Sequence, residues 1–458
     1  MGGGCHARLV PEAMALKELE RRSRVPAPEL EHWVELGLLH RDADGSLHPD
    51  SLARVRLVRF AQRRGVTPEM IAGSSAHEGD VLGWYVDQLG GSDPGLGMSV
   101  EEAAREAGLD TDLFQRLWMA SGLVEQSEVY GEDLNAMRAV AMVRSLGFPE
   151  DALLQLIRVF ADSTSRIADA AIRTFHLYVH EQLRKQGLSG AELIEATSAR
   201  GDPMQPLVEP TLLYFHRKAW ERAVLDDMLL HLAEDVTPPG QQVGEMSATI
   251  LFVDLAGFTP LTEAMGDEAA AAILDQFSEL VRLAASHHAG RIVKQIGDEF
   301  MLVFTDGDPA VQCGLEICGL VAAEPQFPAV RLGAHAGPVL YREGDYAGTN
   351  VNIAARVAGE ARRGQFLVTD TVRTTARVTT SFVELGPRQL KGLTDHVQLY
   401  EVRIEDRNAE RVTDPVCGME LDPRSTDTRL SWNGADIHFC SDECLKRFVD
   451  TPERYATA

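Results

Sequence analysis

No stretch of this 458-residue sequence reaches the ~18 consecutive apolar residues needed to span a bilayer. Its start, MGGGCHARLVPEAM, also lacks the basic-then-apolar pattern of a secretory leader. Gly2 suggests N-myristoylation, but that motif wants Ser or Thr where His6 stands. No membrane association is expected, and the expected location is the cytoplasm. Basic residues are scarce, 44 Lys and Arg against 69 Asp and Glu, for a formal net charge of -25. That sign repels nucleic-acid phosphate and anionic lipid over long range, although a local basic face stays open. Cysteines are few, and three of the six (Cys417, Cys440 and Cys444) crowd into the last segment. This distribution argues against a chain-wide disulfide framework and for a local metal site. Cys313 and Cys318 lie on an apolar helical stretch and are expected to be buried thiols.

What the chain does have is length for two to four domains and clear punctuation between them. Val236-Thr237-Pro238-Pro239-Gly240 must end a helix, and the polar run from Arg403 to Asp414 marks a second change of character. A weaker break, rich in Gly and Ser, is expected between Ala72 and Met98. Before the first break an internal repeat is visible. Two stretches, 12–75 and 98–160, each read as helix, turn and a second helix ending in Gly-Leu, at Gly37-Leu38 and Gly122-Leu123. A third helix starts near Asp50 or Glu132, and a fourth is announced by Pro68-Glu69 or Pro149-Glu150.

These repeats resemble the winged helix-turn-helix of MerR-type regulators. The resemblance implies DNA binding through the first unit, whose third helix carries Arg54, Arg56, Arg59, Arg63 and Arg64. Glu29, Glu31 and Glu35 weigh against it, standing where phosphate contacts would be wanted. A regulatory and dimerisation module is the favoured alternative, since a fold does not fix a function. Residues 161–235 keep apolar residues at three- and four-residue spacing and read as helical, with 220–233 as a long transmitting helix. Phe175, Leu177, Tyr178, Val179, Leu212, Leu213, Tyr214, Phe215 and Trp220 are expected in a core or a dimer interface. His176, His180 and His216 read as packing or surface histidines.

The chemistry gathers in 245–403. Residues 248–254, ATILFVD, read as a buried strand ending in Asp254. The following turn, with Thr259 as expected N-cap and Pro260 at the first helical position, opens a helix. A carboxylate beside a helix N-terminus suits a triphosphate with Mg²⁺, which makes Phe258 and Thr259 candidate substrate contacts. Farther on, Gly297-Asp298 separates two apolar strands as a hairpin turn and supplies a second carboxylate. Two aspartates on adjacent strands can share two metal ions. Asn352 and Arg356, four apart on an expected helix, share one face and suit a ribose and a reacting phosphate.

Together these residues resemble the catalytic domain of class III adenylate cyclases, over about a third of the chain. The resemblance implies a ferredoxin-like α/β core working as a homodimer, converting ATP to cyclic AMP with two Mg²⁺ or Mn²⁺ ions per site. It implies metal binding by Asp254 and Asp298, and adenine recognition by Lys294 at N1 and Asp345 at the exocyclic amine. Asn352 would position the ribose, Arg356 would stabilise the transition state, and Lys391 would hold the terminal phosphates. Guanine would favour an acidic residue at position 294 and a small or thiol residue at 345, so the pair present implies ATP.

The last segment, 412–458, carries Asp414-Pro415-Val416-Cys417-Gly418-Met419, then Phe439-Cys440-Ser441-Asp442-Glu443-Cys444. It resembles the YHS domain, a small treble-clef-like module. So short a segment can hardly bury enough apolar surface alone, so a metal staple is reasonable. Cys417, Cys440 and Cys444 are its candidate ligands, for Zn²⁺ or Cu⁺, with His438 the nearest candidate for a fourth. The fold class expected for the whole is thus multidomain. An α-helical regulatory region precedes the α/β cyclase domain and the small tail.

Overall fold

The computed structural model describes residues 14–89, 97–123, 128–234, 245–378, 380–403, 411–424, 426 and 428–455. Contacts divide the chain into two compact units, Met1–Pro238 and Pro239–Ala458. The Pro-Pro-Gly break and most of the Arg403-to-Asp414 run lie outside the described residues.

The first unit is helical, and its elements recur. Helices α1 (Leu16–Ser23), α2 (Ala27–Glu35), α3 (Ser51–Gln62) and α4 (Pro68–Glu78) are followed by α5 (Val81–Gln88). Then α6 (Val100–Ala107), α7 (Thr111–Ala120), α8 (Gly131–Ser145) and α9 (Glu150–Phe175) repeat the order of the first four. In each set an isolated bridge ties the residue before the first helix to the connection ahead of the third, Met14 to Leu47 and Met98 to Val129. Local signals explain the starts: Ser99 and Glu102 form a capping box on α6, and Asp110 caps α7. Each set buries its own core, one around Trp33 and Leu30, the other around Phe114 and Leu117.

The expected break between Ala72 and Met98 is mostly helix. α4 runs to Glu78, and the Asp80 side chain accepts from Gly83 N–H to start α5. α3 ends at Gln62, so Arg63 and Arg64 lie just past it, and the arginines of this stretch are also less available than a basic stripe requires. Arg54 is buried, donating to Asp50 at 2.5 Å and to Asp80 at 2.7 Å. Arg56 lies over the Tyr130 ring at 4.3 Å and Arg64 over the Phe60 ring at 3.7 Å.

α9 passes through a π-helical turn, His176–His180, into α10 (Glu181–Lys185), followed by α11 (Gly190–Gly201) and α12 (Gln205–Glu234). The long helix therefore begins well before residue 220. Leu177, Tyr178, Leu213, Tyr214, Phe215 and Trp220 are all exposed, so within one chain they form no core.

The second unit is built on a mixed sheet. Its elements are β1 (Glu245–Leu255), α13 (Phe258–Met265), α14 (Asp267–His287), β2 (Arg291–Ile296), β3 (Glu299–Phe304) and α15 (Gly307–Ala323). There follow β4 (Phe327–Pro328), β5 (Val330–Arg342), β6 (Asp345–Ala347), α16 (Thr349–Glu360), β7 (Phe366–Thr369), α17 (Asp370–Arg373), β8 (Phe382–Arg388) and β9 (Val397–Val402). The strand order is β2-β3-β1-β5-β7-β9-β8, with β6 paired to β5. Only β5 and β7 run parallel.

Both faces of β1 are covered, which is why its sequence is a continuous apolar run rather than an alternating one. Leu251 and Val253 pack with α14 and α15, while Ile250 and Phe252 pack beneath α16. α16 approaches β5 so closely that a side chain at Gly333 would strike the Ala358 backbone.

The tail comprises β10 (Val412–Thr413), β11 (Met419–Leu421), β12 (Arg429–Trp432), β13 (Ala435–His438), α18 (Asp442–Asp450) and α19 (Pro452–Tyr455). It is not a free-standing knot. β11 pairs with β4, and Val416, Met419, Leu421, Phe439 and Phe448 join the same hydrophobic core as Leu332 of β5 and Ile317 of α15. Apolar burial missing from so short a segment comes from its neighbour. Among the described residues no helix is long and apolar enough to cross a membrane.

Candidate active site

β1 delivers Asp254 to the sheet end, where antiparallel register sets it opposite Glu299 of β3 and Arg331 of β5. Arg331 Nε donates to Asp254 Oδ2 at 2.5 Å. Asp298 occupies the two-residue turn between β2 and β3, with Gly297 before it in the left-handed region at φ 62°. The turn expected there is present. Burial, reinforced by the charge of Asp298, pushes the Asp254 carboxyl up to about 7 despite Arg331. Burial also raises Glu299.

α13 begins two residues earlier than expected. Gly257, at φ 87°, is its N-cap, Phe258 its first residue, and Pro260 its third. Thr259 is therefore not the cap: only glycine takes the left-handed cap conformation without strain, so the reversal falls there. Phe258 is half-buried against the core and Thr259 is exposed beside it.

β2 and β6 bring Lys294 and Asp345 together, Nζ donating to Oδ2 at 2.5 Å. Both are substantially exposed, so the pair is open to an incoming base. Asn352 and Arg356 both stand on α16, Asn352 exposed and Arg356 half-buried. Arg356 Nη1 donates to the Lys391 backbone carbonyl, while its buried Nε has no hydrogen-bond partner among the described residues. Lys391 itself is exposed. Behind them Asn350 Oδ1 meets His335 Nε2 at 2.9 Å, and Asn350 Nδ2 donates to the Pro338 carbonyl at 2.6 Å.

Oxygen donors crowded at a strand end, with one carboxyl held so far above its usual range, form a donor set that fits hard divalent cations. Arg331 is the residue sequence reasoning missed. A lone arginine opening an apolar strand looks like an edge charge until the register places it against Asp254.

In the tail, Cys417 Sγ lies 3.4 Å from Cys440 Sγ, which lies 3.6 Å from Cys444 Sγ. With Asp414 these groups offer ligand atoms all within 4.8 Å of one another. Three thiols so close fit a soft or borderline cation. Hydrogen bonds from Cys417 and then Cys440 pull the Cys444 thiol down to about 4. Asp414 accepts from the Val416 and Cys440 backbone N–H groups at 2.8 Å each, so its carboxyl ties the two knuckles together. His438, the expected fourth ligand candidate, is not in this cluster: its strand ends before the turn that aims Cys440 inward, and its Nδ1 is buried without a partner among the described residues.

Comparison with known proteins agrees with this division. Residues 241–403 match the adenylate and guanylate cyclase catalytic domain, 45–215 the adenylate cyclase regulatory domain, and 412–458 the YHS domain. A pH-sensitive adenylate cyclase of Mycobacterium tuberculosis is 28% identical over 370 residues, 76% of this chain and 88% of that one. An adenylate cyclase of Streptomyces coelicolor is 29% identical over 276 residues, 58% of this chain and 68% of that one. The crystal structure of the adenylyl cyclase CyaB from P. aeruginosa covers 36% of this chain and 96% of its own, at 22% identity and TM-score 0.32. The chain thus carries a class III cyclase catalytic domain, a cyclase regulatory domain and a YHS domain. It is an enzyme, an adenylate cyclase.

Proposed function

We propose that this chain converts ATP to 3′,5′-cyclic AMP and pyrophosphate as a homodimer, using the residues that the sheet gathers at the ends of β1, β2 and β6. The observation that carries the reading is the Asp254–Asp298 carboxyl pair beside the start of α13. Asp254 and Asp298 hold two Mg²⁺ or Mn²⁺ ions, which when bound acidify the ribose hydroxyl and neutralise phosphate charge. Lys294 donates to adenine N1, and Asp345 accepts from the exocyclic amine. Asn352 positions the ribose so that its 3′-oxygen faces the α-phosphate. The Arg356 guanidinium stabilises charge on that phosphate as pyrophosphate leaves, and Lys391 and Arg331 hold the outer phosphates.

The exposed apolar side chains of α9, the π-turn and α12 support a second copy of the chain as their cover. The helical repeats act as the regulatory region. A DNA-binding role for them is the weaker reading, since three of the five arginines on and just after α3 engage other groups of the unit. In the tail, Cys417, Cys440 and Cys444 hold Zn²⁺ or Cu⁺, with Asp414 orienting the cysteine-bearing turns.

The test is product formation by purified full-length protein with ATP or GTP, beside Asp298→Ala. Cyclic AMP from ATP alone, abolished by the substitution, supports the reading. Cyclic GMP formed in preference, or a fully active Asp298→Ala, overturns it. Sedimentation at micromolar concentration tests the dimer.

A further inference from the structure

One guanidinium joins the tail to the nucleotide side of the catalytic domain. Arg363 lies between α16 and β7, and its Nη1 donates to the Gly418 carbonyl at 2.7 Å. Gly418 directly follows Cys417. A Cβ at Gly418 would collide with the same guanidinium, and a Cβ at Gly257 would lie 2.5 Å from its Nη2. Arg363 therefore packs on two bare glycines at once, one in the cysteine knuckle and one capping α13, three residues past Asp254.

The far end of α13 is held by the tail as well. Arg447 Nη1 donates to the Glu263 carbonyl at 2.8 Å, and Arg454 Nη2 pairs with Glu263 Oε2 at 2.8 Å. Ala264 and Met265 line one cleft with Cys440 and Cys444. The far end of the helix that follows the Asp254 strand thus rests directly on the segment carrying the thiols, and its N-cap reaches that segment through Arg363.

We propose that a soft cation at Cys417, Cys440 and Cys444 sets the position of α13 and the Asp254 loop, with Arg363 as the positioning residue that couples them. This rests on the readings above of the tail as a metal site and of the sheet end as a cyclase site. Thiolates drawn onto one ion fix the Cys417–Gly418 turn, and with it the carbonyl that anchors Arg363. Without the ion that carbonyl is free to move, and a guanidinium that follows it leaves Gly257. α13 then loses the support at its N-cap. Coupling between two sites is reciprocal: nucleotide bound at the sheet end must tighten the tail's hold on its ion by the same factor.

The experiment uses full-length protein, wild type, Arg363→Met and Arg363→Lys. Zn²⁺ affinity, with Cu⁺ in parallel, is measured by chelator competition with and without Mg²⁺ and a non-reactive ATP analogue. Hydrogen exchange of residues 257–265 is followed in the ion-loaded and stripped states. In wild type the analogue should tighten ion binding by roughly fivefold or more, and loading should slow exchange across α13. Arg363→Met should bind the ion yet lose both effects, and Arg363→Lys should recover part of them. Wild type binding ion and nucleotide independently, or Arg363→Met keeping the linkage, overturns the proposal while leaving both sites standing. Protein that binds no ion, with Cys440→Ser indistinguishable from wild type, overturns the tail site and the proposal with it. Normal linkage with no cyclic AMP formed instead counts against the cyclase reading alone.

Discussion

Two acidic pairs in this chain each have one arginine, and they behave in opposite ways. In the helical unit, Arg54 is the buried partner, 4% exposed, while Asp80 is 48% exposed. In the catalytic unit the burial is inverted: Asp254 is 8% exposed and Arg331 40%. The hydrogen bond from Arg54, opposed by burial, brings the Asp80 carboxyl down to about 2. At Asp254 burial dominates and raises the carboxyl to about 7. The first cluster has its cation where the charge is needed and is a closed staple. The second has its carboxylate out of water and its cation at the rim, so it is short of positive charge. That shortfall separates a group that holds a fold together from one that recruits an ion or a phosphate.

The largest expected effect tests that distinction directly. Asp254→Ala or Asp298→Ala should lower kcat by about a thousandfold or more, since several kcal/mol of transition-state charge stabilisation goes with the ions. Thermal stability should hardly fall, and at Asp254 it should rise, because a desolvated carboxyl is removed. Steady-state kinetics beside a melting curve checks both halves. A loss of stability matching the loss of activity would make the pair a staple like the one around Arg54.

The tail sharpens the comparison from another side, because there packing and ion site share one core. Phe448→Ala should cost about 3–5 kcal/mol and lower the melting of catalytic domain and tail together in calorimetry. Two separate transitions, with only a small one shifted, would make the tail an independent module. Next in size is the base-recognising pair. Asp345→Ala should reduce kcat/KM for ATP by about a hundredfold with little change for GTP, read from competing-substrate kinetics.

These contrasts also explain what the sequence could and could not disclose. Asp254, Asp298, Asn352 and Arg356 were legible because each sits at a fixed place on a local element, a strand end, a two-residue turn or one helix face. Their roles came from resemblance rather than from periodicity. Arg331 was not legible, since its significance depends on the register of strands nearly 80 residues apart in sequence. Arg363 has no pattern at all and matters only because two glycines converge on it. Gly257 displaced Thr259 as the cap because a left-handed turn, which a capping preference for threonine cannot anticipate, reverses the chain two residues earlier. The tail's docking was hidden for a similar reason: its partner β4 is only Phe327–Pro328, too short to register as a strand. On the helical side, the repeat was legible from its turns, whereas the fate of the arginines was not. Arg54 reads as surface charge until Asp50 and Asp80 enclose it.

The smallest effect returns to that staple and fixes its sign. Asp80 has a folded-state pKa lowered from 3.8 to about 2. A depressed carboxyl contributes stability that is fully present above its unfolded value and is lost as pH falls through the folded one. The advantage of wild type over Asp80→Asn should therefore be constant from pH 7 to about 5, then shrink between about 4 and 2. Half-exposure of Asp80 keeps this advantage small, because solvent screens the pair. Denaturant unfolding of the two proteins across that range measures it. An advantage that grew on acidification would mean that Asp80 is protonated in the fold, and the contrast with Asp254 would disappear.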